Sequence, residues 1–232
     1  MSKESEKVLG IKELPIFPLP LILLPHEFLP LHIFEERYQQ MLKDVSVGKN
    51  MFGVSLFTPN ETFTDRPELE SIGCVAEIRE NQTMEDGRSN ILTMGLIRYK
   101  LIDYVDSSEP YLIGEIEFFE DEKEDETKLL NLADEVFELF TRVAEAAHKL
   151  SDSPSAFPDI PKAPPEQLSF LVSSAFSLEN EIKYKLLNIR STSERLKNLK
   201  EILLKSVVQV EENAEINRIS RTNGHAKKKI DI

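Results

Sequence analysis

The stretch from Leu14 to Tyr38, LPIFPLPLILLPHEFLPLHIFEERY, restricts the fold of this chain more than any other. Up to His26 it carries no charge, and Pro15, Pro18, Pro20, Pro25 and Pro30 punctuate it. An interior proline removes an amide donor and clashes with the preceding turn, so no helix accommodates this spacing. The apolar residues between the prolines (Ile16, Phe17, Leu19, Leu21, Ile22, Leu23, Leu24) suit extended segments packed into a core, with proline at strand starts or edges. A membrane-spanning helix is excluded because the prolines break the run and His26 and Glu27 end it. From Phe34 onward Tyr38, Met41, Leu42 and Val45 fall at helical spacing, with Glu35, Glu36, Arg37, Gln39, Gln40 and Lys43 on the opposite face. The stretch therefore reads as a buried strand, a proline-bounded corner at Leu29–Leu31, and an amphipathic helix.

The string LPIFPLPLILLPHEFLPLHIFEERYQQML resembles the opening motif of the N-terminal substrate-binding domain of the ATP-dependent Lon protease. A proline-rich strand is followed there by PLHIFE and RY. The motif residues Pro30, Leu31, His32, Ile33, Phe34, Glu35, Arg37 and Tyr38 are read as mainly structural. His32 is expected to hydrogen-bond free backbone groups at the strand-to-helix corner. Glu35 and Arg37 are expected to fix the helix that follows. One departure from the family pattern is Glu36, where many relatives carry proline; glutamate suits the first turn of a helix.

Short strands and turns follow. MFGVSLF and the run Ser71–Glu80 alternate in strand fashion, and Pro59–Glu70 reads as a loop. Asp86-Gly87 marks the turn of a long hairpin. NILTMGLIRYKLIDYVD is two strands or one strand bent at Gly95, and YLIGEIEFFE is another. These elements predict an α+β fold, beginning with a small β-barrel that carries one early helix. The order IGCVAEI, DGRSNILTMGLIRYKL, YLIGEIEF also resembles the Lon-type domain, whose barrel is PUA-like. Eight of the twelve residues 115–126 are acidic, which reads as a solvated linker because like charges repel and stay hydrated.

Beyond the acidic run the pattern turns helical. Leu129, Ala133, Val136, Phe137, Phe140, Val143, Ala144, Ala147 and Leu150 recur at three and four. Ser151–Pro165 is a proline-broken loop, QLSFLVSSAFSL is a helix opened by Pro165, and Glu179–Asn188 is a short one. Ser191-Thr-Ser-Glu194 has the form of a capping box and opens a final helix. The expected organisation is a flexible lead over 1–13, a PUA-like β-barrel over 14–120, an acidic linker over 121–127, a helical bundle over 128–210 and a disordered tail over 211–232. The Lon resemblance covers Leu14 to Leu204.

Composition narrows function. The net charge of −13 opposes a phosphate backbone as main partner, since nucleic-acid binding rests on neutralising phosphates with Lys and Arg. Cys74 is the single cysteine, which excludes an intrachain disulfide or a cysteine-built zinc site. Its place in SIGCVAEI reads as a buried, inert thiol. The charged residues 1–13 lack the apolar core of a signal peptide, and the expected location is cytoplasmic.

Catalytic patterns are missing. GKNMFGVS (Gly48–Ser55) has glycines at phosphate-loop spacing, but Val54 replaces the lysine and a strand follows. No G-x-S-x-G elbow occurs, and His26, His32, His148 and His225 have no metal-ligand spacing. No cofactor and no metal are expected. The resemblance implies a non-enzymatic protein-binding module without the ATPase and Ser–Lys protease modules of Lon. It would capture unfolded or degron-bearing polypeptides, or bind a protease or chaperone partner. Polypeptide contacts are expected at Phe57, Phe63 and Phe157, because loop aromatics are free to bind. The alternative is an RNA-binding PUA-like protein.

Overall fold

The architecture comes from a computed structural model that describes residues 2–59, 65–151 and 157–224. In chain order its elements are α1 (Lys3–Lys7), β1 (Glu13–Leu19), β2 (Phe28–Ile33), α2 (Glu36–Ser46), β3 (Met51–Leu56), β4 (Ile72–Thr83), β5 (Ser89–Val105) and β6 (Leu112–Phe119). Four helices follow: α3 (Glu126–Leu150), α4 (Pro165–Ala175), α5 (Asn180–Asn188) and α6 (Thr192–Gly224). The α+β expectation holds. The chain divides into one unit of Met1–Glu122 with Ser173–Arg190, and another of Lys123–Val172 with Ser191–Ile232. Ser173–Arg190 therefore belongs with the strands rather than with the expected bundle over 128–210.

In the first unit, the strands pair in the order β2-β5-β4-β3-β1-β6, and β6 pairs again with β5. The five strands β5, β4, β3, β1 and β6 thus close into a ring. β2 stands outside the ring, antiparallel to the first part of β5 from Phe28↔Met94 to Ile33↔Ser89. The expected corner at Leu29–Leu31 is thus a strand. Pro30 is tolerated there because an edge strand uses only one side of its backbone for pairing. The actual corner lies at Leu24–Glu27, where His26 takes φ 65° and the Glu27 carboxylate accepts from the Leu24 amide at 2.9 Å. This corner lies directly on β5. The Gly95 amide donates to Glu27 O at 2.9 Å, and a Cβ at Gly95 would come within 2.0 Å of Leu24 O. Glycine here permits close backbone approach, and β5 continues through it as one strand of 17 residues.

Both sheet faces carry apolar residues. Phe17, Phe52, Cys74, Ile33 and Ile91 pack with Tyr38, Met41, Leu42 and Val45 of α2. Ile16, Met51, Val75, Tyr99 and Leu101 form a second cluster with Val8. Burial on both faces explains why Ile72–Ala76 is buried without interruption. Arg98, 2% exposed, crosses to the later segment: it donates to Leu187 O at 2.9 Å and to Ile189 O at 2.7 Å, and pairs with Asp121. Lys183 pairs with Glu27 at 2.8 Å, and the Ile72 amide donates to the Tyr184 hydroxyl at 3.1 Å. These bonds, between residues distant in sequence, bring Ser173–Arg190 into the first unit.

The second unit contains α3 and α6 packed together, with the start of α4. On α3 the buried stripe is Ala133, Val136, Leu139, Val143 and Ala146; Ala147, expected on it, is exposed. Arg195 is fully buried on α6, donating to Ser169 Oγ at 2.7 Å with its guanidinium 3.9 Å from the Phe170 ring centroid.

Three sequence expectations are corrected. The expected flexible lead over 1–13 is tied down in its described residues, 2–13: Ser2 caps α1, Ser2 N and Ser5 Oγ donate to Glu120, and Val8 is buried. The acidic run is engaged in structure, because Glu120, Asp121 and Glu124 have partners far along the chain. Glu115 and Glu117 lie on β6, Asp121 meets Arg98, and Asp125 caps α3 by accepting from Lys128 N at 3.0 Å. Glu124 accepts from Ser193 N at 3.0 Å and Ser191 Oγ at 3.1 Å. At the expected capping box, Ser191 Oγ also accepts from Glu194 N at 3.1 Å. Finally, α6 runs to Gly224, past the start of the expected tail at 211, because no glycine or proline interrupts it before then. Residues 225–232 lie outside the described residues.

Candidate functional site

Pleating puts successive residues of β2 on opposite faces. Ile33 is buried, and Leu29 and Leu31 are partly buried against the same cluster. Phe28, Pro30 and His32 alternate with them and are exposed, and Phe34 continues the alternation one step past the strand. Phe28 is 60% exposed and Phe34 62%. The His32 and Phe34 rings stack with centroids 6.1 Å apart. Register extends this face across the neighbouring strands: Met94 lies opposite Phe28, Leu92 opposite Pro30 and Asn90 opposite His32. Glu77, Glu80 and Gln82 of β4 lie opposite those three β5 residues. The result is an apolar strip, Phe28–Pro30–Leu92–Met94, continued by His32 and Phe34 and bordered by carboxylates on β4. Because β2 stands outside the closed ring, no further strand covers it among the described residues.

Two local contacts hold the far end of the strip. Gln39 of α2 donates through its side-chain amide to Phe34 O at 2.9 Å. A Cβ at Gly87, in the β4–β5 turn with φ 86°, would come within 2.7 Å of Gln39 Oε1. The start of α2, Phe34 and the hairpin tip are therefore neighbours.

The charges around this face are uneven. Arg37 pairs with Glu35, Arg79 with Glu77 and Arg88 with Asp86, at 2.7, 2.7 and 2.6 Å. Hydrogen bonds from the Arg88 side chain and amide hold the Asp86 carboxyl below its ordinary value. Lys7 also meets Glu77, at 2.9 Å. Lys7 and Arg79 thus share one carboxylate, and Arg79 Nη2 also lies 3.7 Å from Met94 Sδ, whereas Glu36, Glu80 and Glu85 are exposed and form no ion pair among the described residues.

The residues expected from sequence to bind polypeptide are not brought together. Phe57 follows β3, is half-buried, and lines a cleft of about 280 Å³ with Leu56, Pro67 and Tyr184. Phe157 belongs to the other unit, half-buried with its ring 5.6 Å from that of His148. Phe63 lies outside the described residues. In the family motif, Tyr38 is buried beside Phe17, and burial pushes its hydroxyl pKa up. Glu35 and Arg37 pair with each other at the start of α2. His32 differs from expectation: its Nδ1 lies 2.7 Å from Asn90 Oδ1, a side chain across the ladder, because β2 already satisfies the backbone there through pairing.

Phe28 lies in the apolar stretch Pro18–Leu31, which sequence alone assigns mostly to the core, and Phe34 in the motif read as structural, although their alternation with Pro30 and His32 is visible in the sequence. Apolar residues at every position but His32 of a proline-bearing strand signal two largely apolar faces, and an edge position leaves one open.

The remaining chemistry is sparse. Among the described residues, no three of the His, Cys, Asp and Glu side chains come together as a metal site. Cys74 is 1% exposed, and burial pushes its thiol pKa up. Among the described residues no helix is long and apolar enough to cross a membrane.

Comparison with known proteins places this architecture. The Lon protease of Brevibacillus choshinensis is 28% identical over 199 residues, covering 84% of this chain and 25% of that protein. That of Heliobacterium modesticaldum is 26% identical over 223 residues, covering 94% of this chain and 27% of the relative. The chain thus spans about a quarter of the length of the curated relatives it matches. The crystal structure of a Lon N-terminal domain protein from Xanthomonas campestris shares the fold, with a TM-score of 0.59, 22% identity and coverage of 82% of this chain and 97% of that one. The N-terminal domain of Mycobacterium avium complex Lon protease does so too, at a TM-score of 0.60 and 18% identity over 83% of this chain and 98% of that one. With residues 13–205 matching the family described as the ATP-dependent protease La (LON) substrate-binding domain, the chain belongs to that family.

Proposed function

We propose that this chain is a non-catalytic module that binds polypeptides through the outer face of β2. Its clients are unfolded or degron-bearing chains, held in the cytoplasm for a protease or chaperone partner. The observation that carries this reading is the exposure of Phe28 and Phe34 on one face of an edge strand, with Leu92 and Met94 alongside. Contiguous exposed apolar surface rimmed by polar groups marks interaction sites. Pro30 removes one amide from the strand that faces the client, so recognition rests on side chains more than on strand addition. Phe57 and Phe157 have a secondary part, because each is half-buried. An RNA partner is disfavoured by the net charge of −13 and by the pairing of Arg37, Arg79 and Arg88 with carboxylates.

The test is binding of a permanently unfolded protein, such as reduced and carboxymethylated α-lactalbumin, measured by fluorescence anisotropy. Phe28→Ser with Phe34→Ser is expected to weaken binding about tenfold or more, since aromatic anchors dominate such surfaces. Phe57→Ser with Phe157→Ser is expected to weaken it less. Unchanged affinity in the first double variant, with the thermal unfolding midpoint preserved, sinks the assignment.

A further inference from the structure

The same face carries information about charge. Its apolar strip is bordered at three places by exposed carboxylates that form no ion pair among the described residues: Glu80 across β5 from Pro30, Glu85 in the β4–β5 turn, and Glu36 two residues beyond Phe34 in the chain. Of the nearby cations, Arg37 and Arg88 each have their own carboxylate, while Lys7 and Arg79 share that of Glu77, with Arg79 Nη2 also 3.7 Å from Met94 Sδ; six carboxylates (Glu35, Glu36, Glu77, Glu80, Glu85, Asp86) thus face four cations. The surplus is local, and the net charge of −13 adds a long-range field of the same sign. An occupant of the strip brings its flanking residues within about one Debye length of these groups, roughly 8 Å at physiological salt.

We infer that the β2 face selects extended polypeptide segments in which apolar side chains are flanked by lysine or arginine, and discriminates against segments flanked by acidic residues. This rests on the polypeptide-binding reading and adds a chemical class to it. The apolar strip supplies contact area that tolerates many sequences. The unpaired carboxylates supply the discrimination, because like-charge juxtaposition suppresses the wrong partner and opposite charge speeds encounter. The geometry assigns the two tasks to different residues, so they are separable by mutation. Glu36 and Glu85 are exposed, as is Glu80, and replacing any of them leaves the strip intact.

Three peptides sharing one apolar centre of alternating Phe, Leu and Val, flanked at both ends by lysine, serine or glutamate, test this on the full chain. Affinity is expected to fall in the order lysine, serine, glutamate. The lysine-to-glutamate ratio should be about tenfold at low salt and shrink toward unity at high salt as screening rises. The triple variant Glu36→Gln, Glu80→Gln, Glu85→Gln should collapse the ratio while the serine-flanked peptide binds as before. Circular dichroism is expected to show the variant folded. Equal binding of lysine- and glutamate-flanked peptides, or a ratio that survives the triple substitution, overturns the selectivity. Failure of all three peptides, the serine-flanked one included, overturns the polypeptide-binding reading itself. A chain that sediments as a dimer and becomes monomeric with Phe28→Ser and Phe34→Ser assigns the face to a second copy instead, which also overturns the proposal.

Discussion

The two faces of β2 carry similar side chains and serve different ends. On one, Ile33 is 1% exposed and packs with Leu29, Leu31, Ile91 and the apolar side of α2. On the other, Phe28 and Phe34 are more than half exposed. Burying a phenylalanine contributes about 1.5–3 kcal/mol, so the outer face forgoes stabilisation that the inner face collects. Folding explains the inner face and leaves the outer one without a folding role. That contrast is the ground for proposing a binding role for a strand whose family motif, read alone, is structural.

The largest expected effect comes from the charged counterpart of this contrast. Arg98 is buried with Asp121 and two backbone carbonyls, whereas Arg37 pairs with Glu35 in solvent. Arg98→Ala removes the guanidinium that the buried Asp121 carboxylate faces and is expected to cost about 3–5 kcal/mol in urea unfolding. Arg37→Ala should move the midpoint little, since exposed pairs contribute little. If both variants unfold at the wild-type midpoint, the buried pair does not hold Ser173–Arg190 to the barrel.

Next comes the strand itself. Ile33→Ala removes buried methylenes from a close-packed cluster and is expected to destabilise by about 2–4 kcal/mol. Phe34→Ala, one residue away, should stay within about 0.5 kcal/mol of wild type, as exposed substitutions do. A Phe34→Ala loss as large as that of Ile33→Ala would show the outer face to be part of the core.

The same contrast explains what the sequence could reveal. The proline spacing excluded a helix over Leu14–Leu24 and pointed to strands, because proline chemistry acts locally. It misplaced the corner, since pairing of Phe28–Ile33 with Ser89–Met94 is decided by residues sixty positions away. The acidic run failed for a similar reason: the partners of Asp121 and Glu124 are Arg98, Ser191 and Ser193, and local charge density cannot reveal them. Helices were easier, because their period is written within each segment. The expected binding residues were chosen among loop aromatics, whereas the structure exposes strand aromatics. A strand apolar at all positions but His32 says that two apolar faces exist, and only the closed ring says which one remains uncovered.

Cysteine chemistry can measure the difference between the faces directly. Cys74 is the only native thiol, lies in the cluster beneath β2 and α2, and is 1% exposed. Burial raises its pKa and so suppresses the thiolate that attacks disulfide reagents. Leu92→Cys on a Cys74→Ala background places a single thiol on the outer face, opposite Pro30. With Ellman's reagent at pH 8, the Leu92→Cys thiol is expected to react at nearly the rate of an exposed peptide thiol. Native Cys74 should react about a thousandfold more slowly, at a rate set by opening of the sheet, a factor equivalent to roughly 4 kcal/mol. Adding the serine-flanked peptide should slow the outer thiol and leave Cys74 unchanged, because the occupant covers one face only. Comparable rates for the two thiols would mean that the inner face opens as readily as the outer one stands exposed, and the division of labour between them would be lost.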